Sequence, residues 1–250
     1  MGVKGLWELL RKNPGVKVTS LTDWFVNDAV ARINDSRNAP VIGVDASTWI
    51  YEAQAAVMQA SKHRAAWARI GQPAIMKCIL DRLLQLIKLP VAVVFVFDGN
   101  GRPQYKRGRK VKTKPHYLTG HFQAFIKAFG FHTHTAPGEA EAELAWLNLT
   151  GQIDYVLTSD VDVFIFGATS VIRRPLNKDN YDEVEIYHVP TLQAYERVRL
   201  SRAGLIFIAI FGGGDYDPDG LKGFTVESAY MLAGHQSLVT GSVGGDRRWS

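Results

Sequence analysis

Three apolar runs, each followed by an aspartate, constrain this sequence more than any other feature. The runs and their acids are Val41–Val44 with Asp45, Val91–Phe97 with Asp98, and Tyr155–Leu157 with Asp160. Short continuous runs rich in β-branched and aromatic residues are typical of strands buried on both faces of a parallel sheet. The carboxyl ends of parallel strands share one edge, where α/β folds place their ligands. We therefore expect the three aspartates to meet at that edge.

Amphipathic segments alternate with these runs and predict helices at residues 4–12, 21–34, 46–56, 73–88, 120–130, 190–198 and 201–211. A pair of strands is expected at 171–174 and 184–188, and another strand at 131–135. The alternation predicts an α/β domain, with a central, mostly parallel twisted sheet flanked by helices. The chain has 250 residues with one cysteine, Cys78, and no apolar stretch of the roughly 20 residues that span a bilayer. We therefore expect a soluble protein of a reducing, intracellular compartment.

Two pairs of carboxylates stand close together in the sequence. Glu139 and Glu141 fall in the first turn of a predicted helix, and Asp160 and Asp162 follow the third apolar run. Either pair alone could simply cap a helix. Asp162, however, lies among valine, phenylalanine and isoleucine, where a carboxylate is costly to bury unless it meets a cation. A hard divalent ion would supply that cation.

The segment from Gly99 to Gly138 contains no acidic residue at all. Its basic residues are Arg102, Lys106, Arg107, Arg109, Lys110, Lys112, Lys114 and Lys127. A basic run without counter-charge, next to a candidate catalytic acid, favours a polyanionic partner over a merely solvated surface. Four histidines in this segment, His116, His121, His132 and His134, have irregular spacing and no cysteine among them, so we expect no zinc site there.

A glycine-rich acidic loop, GGGDYDPDG, contains Asp215. Adjacent glycines let a backbone approach a ligand or another segment closely. The loop resembles a calcium loop only in part, because Pro218 interrupts the spacing and no glutamate follows at the twelfth position.

Six stretches taken together resemble the flap-endonuclease/XPG superfamily of structure-selective nucleases. They are MGVKGLWELL, VIGVDASTWIYEA, VFVFDG, APGEAEAE, TSDVDVFIFGA and GGGDYDPDG, in family order. Within the superfamily, Trp49 and the GEAEAE form are most similar to the eukaryotic Holliday-junction resolvases. The short distance from Lys106 to Glu139 points the same way, because it cannot hold the long helical arch through which flap endonucleases thread a free 5′ end.

The resemblance implies a PIN-like nuclease core that uses two Mg²⁺ ions, with Mn²⁺ as a substitute. The metal-binding positions that it implies are Asp45, Asp98, Glu139, Glu141, Asp160, Asp162 and Asp215. Lys106 matches the phosphate-contacting lysine, and acts in catalysis together with Asp45, Glu139 and Glu141. DNA contacts are expected from Gly2, Tyr51, Arg102, Lys106, Arg107, Arg109, Lys110, Lys112 and Lys114. Tyr51 would stack on a base, and Gly2 would lie near the active site as the amino terminus after Met removal.

The same resemblance divides the chain into a nuclease domain at 1–234 and a tail at 235–250. The domain would include a short basic arch at about 102–119 and a partial helix-two-turn-helix from about 215. A K⁺ site is possible there, although Thr225 replaces the third glycine of the family pattern. The implied partners are four-way junctions and 5′ flaps, with a homodimer assembling on the junction, and the implied location is the nucleus.

Three other interpretations stay open from the sequence. The first is a flap endonuclease or 5′ exonuclease that acts on free ends. The second is a non-catalytic nucleic-acid-binding module, which would be expected to have lost some of the seven acids. The third is a structural α/β domain whose acids only cap helices, which the acid-free basic segment disfavours.

Overall fold

The structure, a computed structural model, describes residues 2–61, 71–106, 108–111, 114–174, 182–195, 201–215, 217 and 219–233. Its strands are β1 (Lys17–Ser20), β2 (Val41–Asp45), β3 (Ala92–Phe97), β4 (Tyr105–Lys106), β5 (Arg109–Lys110), β6 (His132–Thr135), β7 (Tyr155–Leu157), β8 (Ser170–Arg173) and β9 (Glu183–His188). Its helices are α1 (Leu6–Arg11), α2 (Leu21–Asn34), α3 (Ala46–Ser61), α4 (Gln72–Leu86), α5 (Thr119–Ala128), α6 (Ala140–Leu149), α7 (Asp162–Phe166), α8 (Val189–Ala194), α9 (Arg202–Gly212) and α10 (Val226–Ala233).

A seven-stranded sheet forms the centre, in the order β1-β9-β8-β7-β2-β3-β6. The five strands from β8 to β6 are parallel, whereas β9 runs antiparallel to both β8 and β1. The predicted mostly parallel sheet and the predicted strand pair are therefore confirmed. Helices cover both faces of the sheet, as the continuous apolar runs required.

The two faces of the sheet hold separate apolar cores. One core is built by α1, α6, α7, α9 and α10, with Leu6, Leu144 and Phe164 almost fully buried. The other is built by α2 to α5, with Phe25 and Trp49 at its centre. The helix segments predicted from 3.6-residue periodicity lie where expected, although the segment at 190–198 is helical only to Ala194 and residues 196–200 lie outside the described part.

Gly43 in the middle of β2 sets the distance between the sheet and α6. A β-carbon at this position would lie 2.5 Å from side-chain atoms of both Leu144 and Ile153. The missing side chain therefore lets α6 pack closely on the sheet, which carries the first turn of α6 to the carboxyl edge of β2.

The strand register places the predicted acids at one edge. Asp45 pairs with Val96, two residues before Asp98, and Leu157 pairs with Val44, three residues before Asp160. The expectation that three strand-terminal aspartates meet is confirmed. Among the described residues, no helix has both the length and the apolar character needed to cross a membrane.

Candidate active site

Carboxylates from separate parts of the chain meet at the carboxyl edge of the sheet. Oxygen atoms of Glu141, Asp160 and Asp215 all lie within 4.8 Å of one another, and all three residues are buried. Glu141 comes from the first turn of α6, Asp160 follows β7, and Asp215 follows the glycine turn after α9. Clustered buried oxygens are the donors that Mg²⁺ and similar hard cations require. The donor set therefore fits a divalent metal ion.

Lys106 already places a cation in this cluster. Its ammonium lies 2.6 Å from Glu141 Oε1, 3.0 Å from Glu139 Oε1 and 3.1 Å from Asp215 Oδ2. Burial alone would lower the pKa of Lys106, but the charges of Glu141 and Glu139 outweigh it and raise that pKa. The lysine is therefore charged at physiological pH and partly neutralises the acids.

One ammonium cannot balance so many acids, and the carboxylates respond by holding protons. Burial, with smaller contributions from Asp98 and Asp160, raises the pKa of Asp45 to about 7 despite two hydrogen bonds from Thr48. Burial, then the charges of Asp160 and Asp215, raises the pKa of Asp162 to about 7. Burial and Asp160 also raise the pKa of Glu141, although Lys106 opposes them. Raised acid pKa values in a cleft are typical of functional sites.

Hydrogen bonds fix the orientation of the acids at the ends of β2 and β3. Thr48 donates to Asp45 from its backbone N–H at 3.0 Å and from its hydroxyl at 2.5 Å. Asp98 accepts from the Ser47 hydroxyl at 2.8 Å and from the Ala140 N–H at 2.9 Å. Sequence reasoning missed these supporting residues, although Ser47 and Thr48 closely follow the first acid in the chain.

A close backbone approach joins the loop after β3 to the start of α6. The Gly99 N–H donates to the Gly138 carbonyl at 2.7 Å, and the Gly101 N–H to the Pro137 carbonyl at 2.9 Å. A β-carbon on Gly99 would overlap the carbonyl oxygen of Ala136. These contacts hold Glu139, which is the N-cap of α6, beside Asp98 and Lys106.

The amino-terminal residues lie against the acids, as predicted for Gly2. The Val3 N–H donates to Asp162 Oδ1 at 3.0 Å, and a β-carbon on Gly2 would overlap the Asp162 carboxylate. The Trp7 indole donates to the Ser159 carbonyl at 2.9 Å and so ties α1 to the loop after β7. The position of Gly2 agrees with the expectation, whereas its contact with DNA stays a prediction.

The predicted DNA-contacting residues lie on both sides of the acids. Arg102 pairs with Asp98 at 3.3 Å, Tyr51 is half exposed on α3, and Lys110 and Lys114 are exposed. Instead of a long helix, the described part of the predicted arch contains a β4–β5 hairpin, in which Lys106 pairs with Arg109. Arg107, Lys112 and the side chain of Arg109 lie outside the described part, as does the predicted tail at 235–250.

The region from about 215 places α10 directly against α9. Gly212 at the end of α9 meets Val226 of α10, where a β-carbon would lie 2.8 Å from the valine side chain. Gly220 and Gly223 between the helices have φ angles of 55° and 87°, a left-handed conformation that favours glycine. This helix pair carries Asp215 into the cluster, and its role in gripping duplex DNA stays a prediction.

Comparison with known proteins agrees with this geometry. Residues 1–117 match the XPG N-terminal domain, and residues 130–215 match the XPG I-region. The chain is 28% identical over 251 residues to flap endonuclease GEN homolog 1 of Mus musculus, and the match covers 93% of this chain but 25% of that protein.

Two solved structures share the fold. The Holliday junction-resolving enzyme GEN1, in complex with product DNA and Mg²⁺, is 26% identical with a TM-score of 0.68, over 92% of this chain and 50% of that one. The catalytic core of Rad2 in complex with DNA substrate is 25% identical with a TM-score of 0.71, over 92% of this chain and 67% of that one. This chain thus spans only about a quarter of the length of the mouse relative and half of the GEN1 chain.

A mostly parallel sheet with buried carboxylates gathered at its carboxyl edge, together with these neighbours, defines a PIN-like nuclease fold. Both regions characteristic of XPG proteins are present in order and leave little of residues 1–215 unmatched. The chain belongs to the XPG family, and the resemblance noted in the sequence is confirmed.

Proposed function

We propose that this chain is a structure-selective DNA endonuclease that hydrolyses phosphodiester bonds at four-way junctions and 5′ flaps, in recombination and repair. The observation that carries the proposal is the convergence of Glu141, Asp160 and Asp215 around the ammonium of Lys106. All seven acids expected of the family are present, which disfavours a non-catalytic binding module. The solved GEN1 and Rad2 relatives, which carry DNA, support DNA as the substrate.

The acids would hold two Mg²⁺ ions, for which Mn²⁺ substitutes. Glu141, Asp160 and Asp215 are the inner ligands in this proposal, and the remaining positions are Asp45, Asp98, Glu139 and Asp162. Bound divalent ions would activate the attacking water and stabilise the leaving oxygen. A solved complex of GEN1 with product DNA contains both Mg²⁺ and Mn²⁺ ions, which supports this choice of metals.

The role of Lys106 follows from its position on the β4–β5 hairpin. Its ammonium reaches three carboxylates of the cluster, so it also reaches any phosphate that binds among them. We assign it to the scissile phosphate, where a cation stabilises developing negative charge. Asp45, Glu139 and Glu141 complete the catalytic set.

Phosphates farther along the DNA would be held by the basic segment and by the amino terminus. The proposed contacts are Gly2, Tyr51, Arg102, Arg107, Arg109, Lys110, Lys112 and Lys114. Arg102 is tied to Asp98 and the Gly99 carbonyl, so it lies closest to the acids. Binding through phosphates does not read the base sequence, which suits a nuclease that selects DNA by shape.

The hairpin after Lys106 supports cleavage without threading of a free end. The GEN1 relative is named for resolving Holliday junctions, and a continuous junction has no end to thread. We therefore propose that two copies meet on a four-way junction and that each cuts one strand. A nuclear location and a K⁺ ion at the α9–α10 turn belong to the same proposal.

The test compares four labelled substrates with Mg²⁺: a four-way junction, a 5′ flap, a flap whose 5′ end carries a bulky block, and linear duplex. We expect cleavage of the first three, with little effect of the block, and two cuts per junction only when protein exceeds DNA. Strong inhibition by the block would instead assign the chain to flap endonucleases that thread free ends. Binding of branched DNA without cleavage under any metal would support the non-catalytic module.

A further inference from the structure

Three aromatic rings form a half-exposed cluster beside the acidic edge. The Tyr51 ring lies 5.3 Å from the His116 ring at 79°, and the His116 ring lies 4.4 Å from the Tyr117 ring at 31°. Tyr51 is 51% exposed and Tyr117 is 54% exposed. Two tyrosines in ring contact with one histidine thus present open ring surface to the solvent.

Rigid elements hold these rings in place. Tyr51 lies on α3, and Leu118, the N-cap of α5, is fully buried beside His116 and Tyr117. The Leu118 N–H donates to His116 Nδ1 at 3.2 Å, so the neutral ring carries its proton on Nε2 and donates it to Gln54 Oε1 at 3.3 Å. Gln54 is three residues after Tyr51 on the same helix. The histidine is therefore fixed to α3 by both ring contact and hydrogen bond.

The location of the cluster relates it to the candidate active site. Helix α3 begins directly after Asp45, so Tyr51 lies about 9 Å further along the helix axis. Stacked bases are spaced by about 3.4 Å, so this distance corresponds to roughly three nucleotides. Exposed Lys114 lies two residues before His116, in the acid-free segment, and favours an anionic strand at the rings.

We propose that Tyr51, His116 and Tyr117 form a stacking platform for an unpaired base at the branch of the DNA substrate. The inference rests on the proposed nuclease function and adds His116 and Tyr117 as specificity-determining residues. Paired bases inside a duplex already have both faces covered, whereas a base at a branch point can offer a face to a ring. Stacking on aromatic side chains tolerates every base, so the platform selects unpaired structure rather than sequence.

A cycle that combines a protein variant with a DNA change tests the platform. Binding to a 5′-flap substrate is measured in Ca²⁺, with each unpaired nucleotide next to the branch replaced in turn by an abasic one. For the unaltered protein we expect one abasic position to weaken binding about tenfold. In Tyr117→Ala the intact flap should bind about tenfold more weakly, and the abasic change should then cost almost nothing.

Two further variants serve as controls. Tyr117→Phe keeps the ring and should restore the abasic penalty. Tyr195→Ala removes a 42% exposed tyrosine after α8, at the opposite edge of the sheet, and should leave the penalty unchanged. All variants should bind linear duplex equally.

The outcomes separate this inference from the proposed function. An abasic penalty that persists in Tyr117→Ala, or that is absent in a protein that still cuts flaps with Mg²⁺, would show that the rings only pack on one another. Failure of the unaltered protein to cut any branched DNA would instead overturn the nuclease function, whatever the stacking result.

Discussion

Replacing Lys106 by methionine should destabilise the metal-free protein and strengthen its response to divalent metal. The ammonium contacts Glu139, Glu141 and Asp215, whose side chains are only 2–11% exposed, and its own side chain is 21% exposed. Removing one partner of a buried ion pair typically costs about 3–5 kcal/mol. In a chain of this size that loss lowers the melting temperature by roughly 10 °C.

The loss in Lys106→Met should depend on pH and on metal. Without the lysine the acids can avoid repulsion only by binding protons, and burial already raises the pKa of Glu141. Lowering the pH from 8 to 5 should therefore reduce the difference between the variant and the unaltered protein. Saturating Mg²⁺ should reduce it as well, because a divalent ion can replace the missing positive charge.

The assay is a set of thermal melts at pH 8 and pH 5, with and without Mg²⁺, supported by calorimetric titration of Mn²⁺. Lys77→Met is the matched control, because Lys77 pairs with Asp81 on the exposed surface of α4. We expect it to leave melting temperature and metal response unchanged. If Mg²⁺ raised the melting temperatures of Lys106→Met and the unaltered protein equally, the lysine and the metal would not share one set of carboxylates, and the reasoning would fail.

Three further perturbations follow from the site. Asp162→Asn should stabilise the metal-free protein at pH 8 but not at pH 4, because the folded state raises the pKa of this acid to about 7 and its ionisation costs stability as pH rises; melts across that range measure this. Gly99→Ala should unfold the loop after β3 and lower the melting temperature, because its β-carbon would overlap a backbone carbonyl, whereas Gly120→Ala has open space and should not. Neutralising Lys110 and Lys114 together should weaken binding of all DNA sequences alike and reduce the salt slope by about one unit per contact, whereas an unchanged slope would mean that both are only solvated.

Much of the metal site could be predicted from the sequence because its parts are locally encoded. Apolar runs determine where β2, β3 and β7 form, and parallel strands must end at a common edge, so Asp45, Asp98 and Asp160 were expected together. The proline-glycine pair before Glu139 and the apolar periodicity after it likewise placed that acid at the start of α6. Six family stretches then added Asp215 and Lys106, for which periodicity alone has no signal.

Only the tertiary structure decided which acids share one point in space. Glu141, Asp160 and Asp215 converge because Gly43 lets α6 approach the sheet and because α10 packs on α9. The contact of His116 with Tyr51 joins residues far apart in the chain, and the sequence suggested only a surface histidine. Local patterns determine the direction and the type of each element, since these depend on neighbours a few residues away. Distances between side chains on different elements depend instead on how closely those elements pack, and packing is a property of the whole core.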